Sequence, residues 1–513
     1  MKRKDKYFLS VLLIIYSVIK IVVLLKPFSE INGFAIPDDA YLSLDIARNF
    51  ANGKWFFCGQ GTTSGFQPLY VFLMVPVFWL FKADIITPVY VSIIMLNIFG
   101  FWTIYFLYKT IRKIFDDDYS PFISVMLFIL LPVTVVNTGN GLETSIAFFF
   151  FTLVFYYLYS YDFAEIKDIS YKKIFLFGAL VGLSLLARID NVMLTAGIIV
   201  WIFLKGKILN SVKPILIFTA GLTLVYLPYL ALSYYFTGDI FPISGKAVHQ
   251  IGSDSVNNYT AGGSNLFELL KLSIRNIYTN YSIIILYALV GTFLFRIKTL
   301  ACPWFKGGVK RHLPIIITSV LIFSAYTFYV NAYWFYTRYF FSLSLFLVIL
   351  TAFVSNQLIE SFSSQNGKRS LFAVVVVLFV IANLLRPGTK DFFFAEYRKK
   401  GYDGIGKWVD RESPAGTVIG CNQTGAIGYF AKDKVVINLD GVVNKEAYDA
   451  IKEKRLMEYI KSKKIEYFID WRINYEFVVR NSAGYREGDL ELVKMVDGIK
   501  SWDYDWGVYR VRR

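Results

Sequence analysis

Long apolar runs recur along residues 1–386, and they constrain the fold more than any other feature of the chain. A helix needs about 20 apolar residues to cross a bilayer, and several of these runs approach that length. We therefore predict a polytopic α-helical membrane protein with about eleven spans. The predicted spans are 7–25, 86–108, 119–137, 145–160, 174–187, 191–204, 214–235, 281–295, 313–331, 338–355 and 370–386.

The composition agrees with a membrane protein. Of the 513 residues, 56% are hydrophobic and only 18% are charged, whereas about a quarter of the residues in a soluble domain are charged. The first apolar run is long for a signal peptide and lacks a small-residue cleavage pattern, so we interpret it as the first span. The formal net charge of +16 lies mainly among the membrane segments, where basic loops set orientation. We therefore expect no nucleic-acid partner.

The few cysteines and histidines offer little support for a metal site or a catalytic triad. Cys58, Cys302 and Cys421 have no metal-binding spacing, and an odd number of cysteines gives no complete disulfide framework. His249 and His312 are the two histidines in the sequence. We predict no histidine-based metal site.

The side of the membrane that each loop faces depends on the short apolar run 69–82. A run of that length more often lies at the interface than spans the bilayer. If 69–82 does not cross and the amino terminus is inside, most of the loop lysines and arginines face the inside, as the positive-inside rule requires. This topology places the first outer loop, 26–85, and the tail, 387–513, outside the cytoplasm. We therefore expect a multi-pass protein of the plasma membrane with an extracytoplasmic tail.

The tail 387–513 is expected to be a small α/β domain, separate from the membrane domain 1–386. "GYDGIGKWVDRESPAGTVIGC" suggests a helix followed by a strand, and "KVVINLDG", "KIEYFIDW" and "DWGVYRVRR" suggest further strands, with helices at 445–462. Alternating helices and short apolar strands are typical of an α/β fold. We expect the glycines of "TGAIGYFAKDKVV" to shape turns rather than to hold a phosphate.

Polar residues at the outer membrane face are the candidates for function, since charges near membrane depth are costly unless they line a functional cavity. Cations at one membrane face can hold a phosphate or diphosphate, and a carboxylate beside them can take a proton from an attacking hydroxyl. The candidates are Asp38, Asp39, Gln67, Glu143, Arg188, Asp190, Lys246, His249 and Arg338.

Each candidate also has a structural interpretation. Asp38 and Asp39 follow a proline and can simply start a helix, and Glu143 can cap one. Arg188 and Asp190 can form an ion pair, and Arg338 can extend to the membrane interface.

The first outer loop resembles that of a known family. "PDDAYLSLDIARNFANGKWFF", followed by "SGFQPLYVFL", resembles the corresponding loop of GT-C glycosyltransferases, above all their bacterial arabinofuranosyltransferase-like branch. Four later stretches resemble further outer segments of that family in the same order: "NGLETS", "LARIDNVML", "YYFTGDIFPISGKA" and "TRYF". Asn191 and Ser244 depart from the family pattern, so the resemblance bears on the reaction more than on the sugar.

The resemblance implies an inverting, single-displacement transfer from a polyprenyl-phosphate sugar. Asp38 best matches the family's general base, with Asp39 assisting or sharing that role. Arg338, Lys246 and Arg188 are implied to bind the donor phosphate. The remaining candidates, Glu143, Gln67, Asp190 and His249, are implied to bind substrate. The sugar would be arabinofuranose or another pentose or hexose, and the acceptor a glycan or glycoconjugate of the cell envelope.

Three alternatives remain open at this point. A transporter or flippase for a lipid-linked sugar would use the same cations and groove, although we see no internal repeat of the kind common in transporters. An oligosaccharyltransferase or polymer ligase of the same superfold would use a divalent cation, with Glu143 and Asp190 as further carboxylates. A structural or receptor protein would need no acids at the membrane edge. No cofactor is firmly predicted.

Overall fold

The computed structural model describes residues 3–59, 61–82, 84–161, 169–205, 208–259, 266–294, 312–385, 401–501 and 504–512. Cys302 lies outside the described residues. The cysteines Cys58 and Cys421 are free thiols.

The first part of the chain is almost entirely helical, as its apolar runs predict. Its helices are α1 Arg3–Leu24, α2 Phe28–Ala35, α3 Asp38–Ala51, α4 Pro68–Leu80, α5 Thr87–Ile114, α6 Ser120–Leu130, α7 Pro132–Asn137, α8 Thr144–Ser160, α9 Tyr171–Ala187, α10 Val192–Lys205, α11 Ile208–Thr237, α12 Ile243–Tyr259, α13 Leu266–Leu294, α14 Leu313–Ser324, α15 Tyr336–Tyr339, α16 Ser344–Glu360 and α17 Gln365–Leu385. A two-residue hairpin, β1 Phe57–Cys58 and β2 Gly61–Thr62, follows α3.

Within the described residues, six helices are long and apolar enough to cross a membrane, judged by length and composition. This supports a multi-pass membrane protein, whereas the predicted number of eleven spans is not confirmed. The helix α4 has 13 residues and is not among the six; the interpretation of 69–82 as a segment that does not cross stays a prediction.

Some predicted spans differ from the observed helices in their bounds. The predicted span 119–137 divides into α6 and α7, because Pro132 cannot donate the backbone hydrogen bond that would continue the first helix. The predicted span 281–295 begins earlier, within α13, which has a non-helical residue at Tyr281. The stretch Ala325–Val330 continues α14 as a π-helix.

The second part forms an α/β unit around one mixed sheet. Its elements are α18 Asp403–Glu412, β3 Val418–Cys421, α19 Thr424–Phe430, β4 Val435–Asn438, α20 Lys445–Lys452, α21 Leu456–Ser462, β5 Tyr467–Trp471, α22 Arg472–Arg480, β6 Leu490–Ser501 and β7 Tyr504–Val511. The strand order is β4-β3-β5-β7-β6. The strand β3 pairs in parallel with β4 and β5, whereas β7 is antiparallel to β5 and β6.

The α/β unit packs directly on residues 26–85, the predicted first outer loop. One continuous core contains residues of α3 and α4 together with residues of α18, α19 and the sheet. Within it, the ring of Tyr41 lies 5.4 Å from that of Tyr429 and 5.1 Å from that of Phe430, centroid to centroid. A second core fills the helical part around α1, α5, α6 and α16. The loop that carries the two acids is therefore held between the helices and the α/β unit.

Candidate functional site

Asp38 and Asp39 begin α3, directly after Pro37, and their carboxylates have different partners. Asp38 is 6% exposed, and its carboxylate accepts hydrogen bonds from the backbone N–H groups of Gly425, at 2.7 Å, and Ala426, at 2.8 Å. Those N–H groups belong to the first turn of α19, where no helical carbonyl is available to them. Asp38 therefore caps a helix that lies 387 residues further along the chain.

The contact between α3 and α19 requires a glycine at position 425. A Cβ atom on Gly425 would lie 2.0 Å from the carbonyl oxygen of Asp38, a distance that real Cβ atoms do not adopt. The prediction that the glycines of "TGAIGYFAKDKVV" shape turns is wrong, because Gly425 and Gly428 both lie within α19. The role of Gly425 is to let two helix backbones meet.

Burial raises the pKa of Asp38 to about 8, because desolvation disfavours the charged carboxylate. The hydrogen bonds from the N–H groups of Ala426 and Gly425 act in the opposite direction, and the negative charges of Asp39 and Asp470 raise the pKa further. Both oxygens of Asp38 are occupied by α19. This position favours a residue that holds α3 in place.

Asp39 has the accessible carboxylate of the pair. Its side chain is 38% exposed, and its Oδ2 atom lies 3.0 Å from Nη1 of Arg338, whose side chain is 16% exposed. Arg338 lies in α15 and donates this hydrogen bond across 299 residues of sequence. A carboxylate of the first outer loop and a cation of a late helix thus form one ion pair.

Two arginines share the ring of Tyr339. The guanidinium carbon of Arg338 lies 5.4 Å from the ring centroid and that of Arg188 lies 5.2 Å from it. Tyr339 itself stacks on Tyr326, with the ring centroids 4.4 Å apart. Within the part of the chain that the structure describes, Nε of Arg338 is buried and has no hydrogen-bond partner. The ring holds two like charges near each other because each is attracted to its face.

Arg188 is surrounded by carboxylates. Its Nε atom donates to Asp190 at 2.8 Å, and its Nη1 atom lies 3.5 Å from Oε1 of Glu143. The backbone N–H of Ile189 donates to Oε1 of Gln67 at 3.2 Å, so the first outer loop also holds this turn. The structure thus brings together Gln67, Glu143, Arg188 and Asp190, and links them to the Asp39–Arg338 pair through Tyr339.

We call this set, Asp39, Gln67, Glu143, Arg188, Asp190, Arg338 and Tyr339, the arginine cluster. Its two guanidinium groups face three carboxylates, so every formal positive charge is already balanced. An incoming phosphate would replace carboxylates around the arginines, and Arg is suited to that exchange because its planar fork matches phosphate oxygens. A phosphate would bind here only by displacing carboxylates from the arginines, and a displaced carboxylate would then be free to act as a base.

Three asparagines hold Thr337, the residue before Arg338, and none of them was predicted as a site residue. Asn276 and Asn280 of α13 donate to Oγ1 of Thr337, at 3.2 and 3.4 Å, and Asn137 donates to its backbone carbonyl at 3.3 Å. Asn276 and Asn280 are spaced by four residues, so they lie on one face of the helix, and this spacing is the local signal for them. Tyr339 was also missed as a site residue, although it adjoins Arg338 in "TRYF".

Lys246 and His249 have other partners on α12. Lys246 is half exposed and lies 3.3 Å from Oδ1 of Asp239, which also pairs with Lys445 of the α/β unit at 2.9 Å. His249 stacks on the ring of Tyr329 and contacts its backbone carbonyl. The structure does not bring these two candidates into the arginine cluster.

Two further acids lie at the carboxyl ends of the parallel strands, where Asp470 is fully buried and Asp440 is half-buried. Asp470 accepts hydrogen bonds from the backbone of Trp471 and the side chain of Asn474, at 2.7 and 2.8 Å. Burial raises the pKa of Asp470 to about 6 and that of Asp440 to about 7. Among the residues that the structure describes, no group of three or more His, Cys, Asp or Glu side chains is arranged to hold a metal ion.

Comparison with protein-family models gives one match. A family described as "Domain of unknown function (DUF8728)" matches residues 393–509, which lie within the predicted outer domain 387–513. A search of curated proteins gives no match.

Solved membrane enzymes share the fold. The oligosaccharyltransferase AglB from Archaeoglobus fulgidus, in complex with an inhibitory peptide and a dolichol-phosphate, is similar with a TM-score of 0.62 at 11% identity, over 94% of this chain and 72% of that one. ArnT from Cupriavidus metallidurans, bound to undecaprenyl phosphate, is similar with a TM-score of 0.57 at 12% identity, over 96% of this chain and 97% of that one. This likeness supports the GT-C fold predicted from the first outer loop. It does not distinguish the arabinofuranosyltransferase-like branch, which stays a prediction.

Proposed function

We propose that the chain is an inverting glycosyltransferase that moves a sugar from a polyprenyl-phosphate donor to a hydroxyl group of a glycan or glycoconjugate on the outer face of the membrane. The observation that carries this proposal is the arginine cluster. It combines one accessible carboxylate with two guanidinium groups, which is the charge arrangement that such a transfer needs. The fold shared with two proteins whose structures contain polyprenyl or dolichol phosphates supports it.

Asp39 takes the role of general base in this proposal, in place of Asp38, which the family pattern favoured. The Asp39 carboxylate is 38% exposed, whereas both oxygens of Asp38 are bonded to the backbone of α19. A general base must come within hydrogen-bond reach of the proton that it removes. Asp38 then acts as a positioning residue, because its bond to α19 fixes the first turn of α3 and hence its neighbour Asp39.

The reaction proceeds by one displacement. The acceptor hydroxyl gives its proton to Asp39 as its oxygen forms a bond to the anomeric carbon of the sugar. The bond from that carbon to the phosphate oxygen breaks, and its electron pair leaves with the polyprenyl phosphate, which gains one negative charge. Arg338 and Arg188 stabilise that charge, since fixed cations act most strongly where charge develops in the transition state. Attack from the face opposite the leaving group inverts the anomeric centre.

The identities of sugar and acceptor follow only from the pattern of the first outer loop. Within this proposal the sugar is arabinofuranose or another pentose or hexose, and the acceptor belongs to the cell envelope. The domain division at residue 386 is part of the same proposal, with catalysis in the membrane domain and the α/β unit covering the first outer loop. Lys246 also binds the donor phosphate in this proposal, and it does so only after its ion pair with Asp239 breaks.

The test is sugar transfer by purified protein from a panel of polyprenyl-phosphate sugars to an envelope glycan extract, comparing wild type with Arg338→Ala. We expect transfer by wild type and a loss of about 100-fold or more in the variant, on the scale of removing one charge-stabilising donor. Arg480→Ala is the matched control, because Arg480 is an exposed arginine of α22 that pairs with Glu476 one turn earlier in the same helix. Transfer by Arg338→Ala at the wild-type rate would exclude the phosphate role.

A second candidate is an oligosaccharyltransferase that moves a whole lipid-linked glycan, favoured by the structural likeness to AglB. Chelation distinguishes the two, because the metal-dependent ligases of this superfold require a divalent ion, whereas the single-displacement transfer proposed here relies on arginines. Activity that is lost in EDTA and restored by Mn²⁺ or Mg²⁺ would favour the second candidate. Activity that is unchanged in EDTA favours the first.

A further inference from the structure

A cavity of about 730 Å³ lies between the first outer loop and the α/β unit, outside the arginine cluster. Its walls come from the later turns of α3, the β1–β2 hairpin, the start of α12, and the edge of the α/β unit at α19, β4 and α20. This volume is within the range of small-molecule sites in proteins. Because four separate segments form the walls, the cavity exists only when the loop and the α/β unit are docked.

The walls of the cavity are polar and nearly balanced in charge, with six lysine or arginine side chains and five aspartate or glutamate side chains. Arg48 pairs with Asp45, Lys445 pairs with Asp239, and Lys463 pairs with Glu446. Paired charges give a wall with many hydrogen-bonding groups and little net attraction for a polyanion. Most of the side chains that line the cavity are polar or charged, which does not suit a lipid tail. The chemistry favours a neutral ligand with many hydroxyl groups.

The cavity adjoins the candidate catalytic residues along α3. Leu42, one turn after Asp38, lines it, and so does Thr424, which precedes the glycine that binds Asp38. Asp45, seven residues after Asp38, lies roughly 10 Å further along the helix axis at 1.5 Å per residue. A ligand in the cavity is thus close to the first turn of α3 without occupying the arginine cluster.

We propose that this cavity binds the neutral carbohydrate part of the acceptor, at sugar units beyond the one that carries the reacting hydroxyl. That the bound carbohydrate is the acceptor rests on the proposed transferase function. The binding of a neutral carbohydrate in the cavity does not rest on it. The two can therefore be tested separately.

The test measures binding of neutral trisaccharides of arabinofuranose, mannose and glucose to the full-length protein in nanodiscs, by saturation-transfer NMR. We expect at least one to bind wild type, and Thr62→Trp, which fills the cavity from the exposed hairpin, to weaken that binding by about tenfold or more. Glu458→Trp is the matched control, because Glu458 is an exposed residue of α21 outside the cavity wall.

Two further experiments distinguish carbohydrate binding in the cavity from sugar transfer and from binding at the donor site. Arg338→Ala should bind the trisaccharide as wild type does, even where it transfers no sugar. Saturating undecaprenyl phosphate should leave trisaccharide binding unchanged, whereas competition would mean that the bound sugar occupies the donor site and would overturn the assignment. Absence of binding by every trisaccharide, or binding that Thr62→Trp leaves intact, would overturn the proposal even if wild type transfers sugar.

Discussion

Asp38 and Asp39 are neighbours in sequence, but their carboxylates connect α3 to different parts of the molecule. Asp38 accepts two backbone hydrogen bonds from α19 of the α/β unit, whereas Asp39 pairs with Arg338 of the helical part at 3.0 Å. The first turn of α3 is thereby fixed from both sides. Asp38 therefore holds α3 in place, whereas the carboxylate of Asp39 is the more accessible of the two.

The glycine at position 425 should be essential for docking. Gly425→Ala places a Cβ atom 2.0 Å from the carbonyl oxygen of Asp38, so the two helices must separate. We expect a loss of about 1–3 kcal/mol in the free energy of unfolding, the usual scale of overpacking. Thermal unfolding of the purified protein in detergent measures it.

Gly428→Ala is the matched control for that experiment. It lies in the same helix, and an added Cβ atom would meet its nearest neighbour, Cβ of Val436, at 3.9 Å, an ordinary contact. Alanine is also a better helix former than glycine by about 1 kcal/mol. Equal destabilisation by both substitutions would show that α19 tolerates no side chain at either position and would contradict the specific contact with Asp38.

The titration of Asp38 should make stability depend on pH. Its pKa is raised to about 8 in the folded protein, whereas an aspartate in an unfolded chain titrates near pH 4. Between these values the folded state holds more protons than the unfolded state, so the free energy of unfolding falls as the pH rises. The stabilising contribution is complete below about pH 4 and is lost as the pH passes through 8.

Asp38→Asn removes that titration and keeps an oxygen that can accept a hydrogen bond from α19. From pH 5 to pH 8, wild type should therefore lose unfolding free energy relative to the variant, by on the order of 1 kcal/mol per pH unit. Asp440 and Asp470 titrate in the same direction, and they cancel in the difference because both proteins contain them. A difference that is constant from pH 5 to pH 8 would contradict the raised pKa of Asp38.

The ring of Tyr339 should be required for phosphate binding because both arginines lie against it. Tyr339→Phe keeps the ring and should retain transfer within about threefold, whereas Tyr339→Leu removes a contact worth about 0.5–2 kcal/mol for each arginine. We expect the leucine variant to raise the KM for the lipid-phosphate donor by about tenfold or more. Donor titrations at fixed acceptor measure this. Equal values for the phenylalanine and leucine variants would show that the ring does not hold the arginines.

The sequence allowed prediction of the elements whose signal is local. Long apolar runs predicted the helical part, and the alternation of short apolar strands with helices predicted β3, β4, β5 and β7 with helices between them. The strand β6 was missed, because many of its side chains are exposed on both faces and give no regular alternation. The division of the predicted span 119–137 was also missed, although Pro132 is a local signal for it.

The site was partly predictable for a related reason. Asp39, Arg188 and Arg338 stand out in sequence because charged residues near membrane depth are costly unless they line a functional cavity. Which acid faces which partner depends on packing between segments 299 and 387 residues apart, and no local pattern contains that information. Lys246 and His249 matched the same sequence criteria, yet their nearest partners lie elsewhere.

The most direct test of the account compares donor binding and sugar transfer in Asp39→Asn and wild type, with the same purified preparations. We predict that Asp39→Asn binds the polyprenyl-phosphate sugar about as tightly as wild type and transfers it at least about 100-fold more slowly, the usual scale for loss of a general base. Transfer by Asp39→Asn at the wild-type rate would contradict the assignment of Asp39 as the base, and with it the central claim.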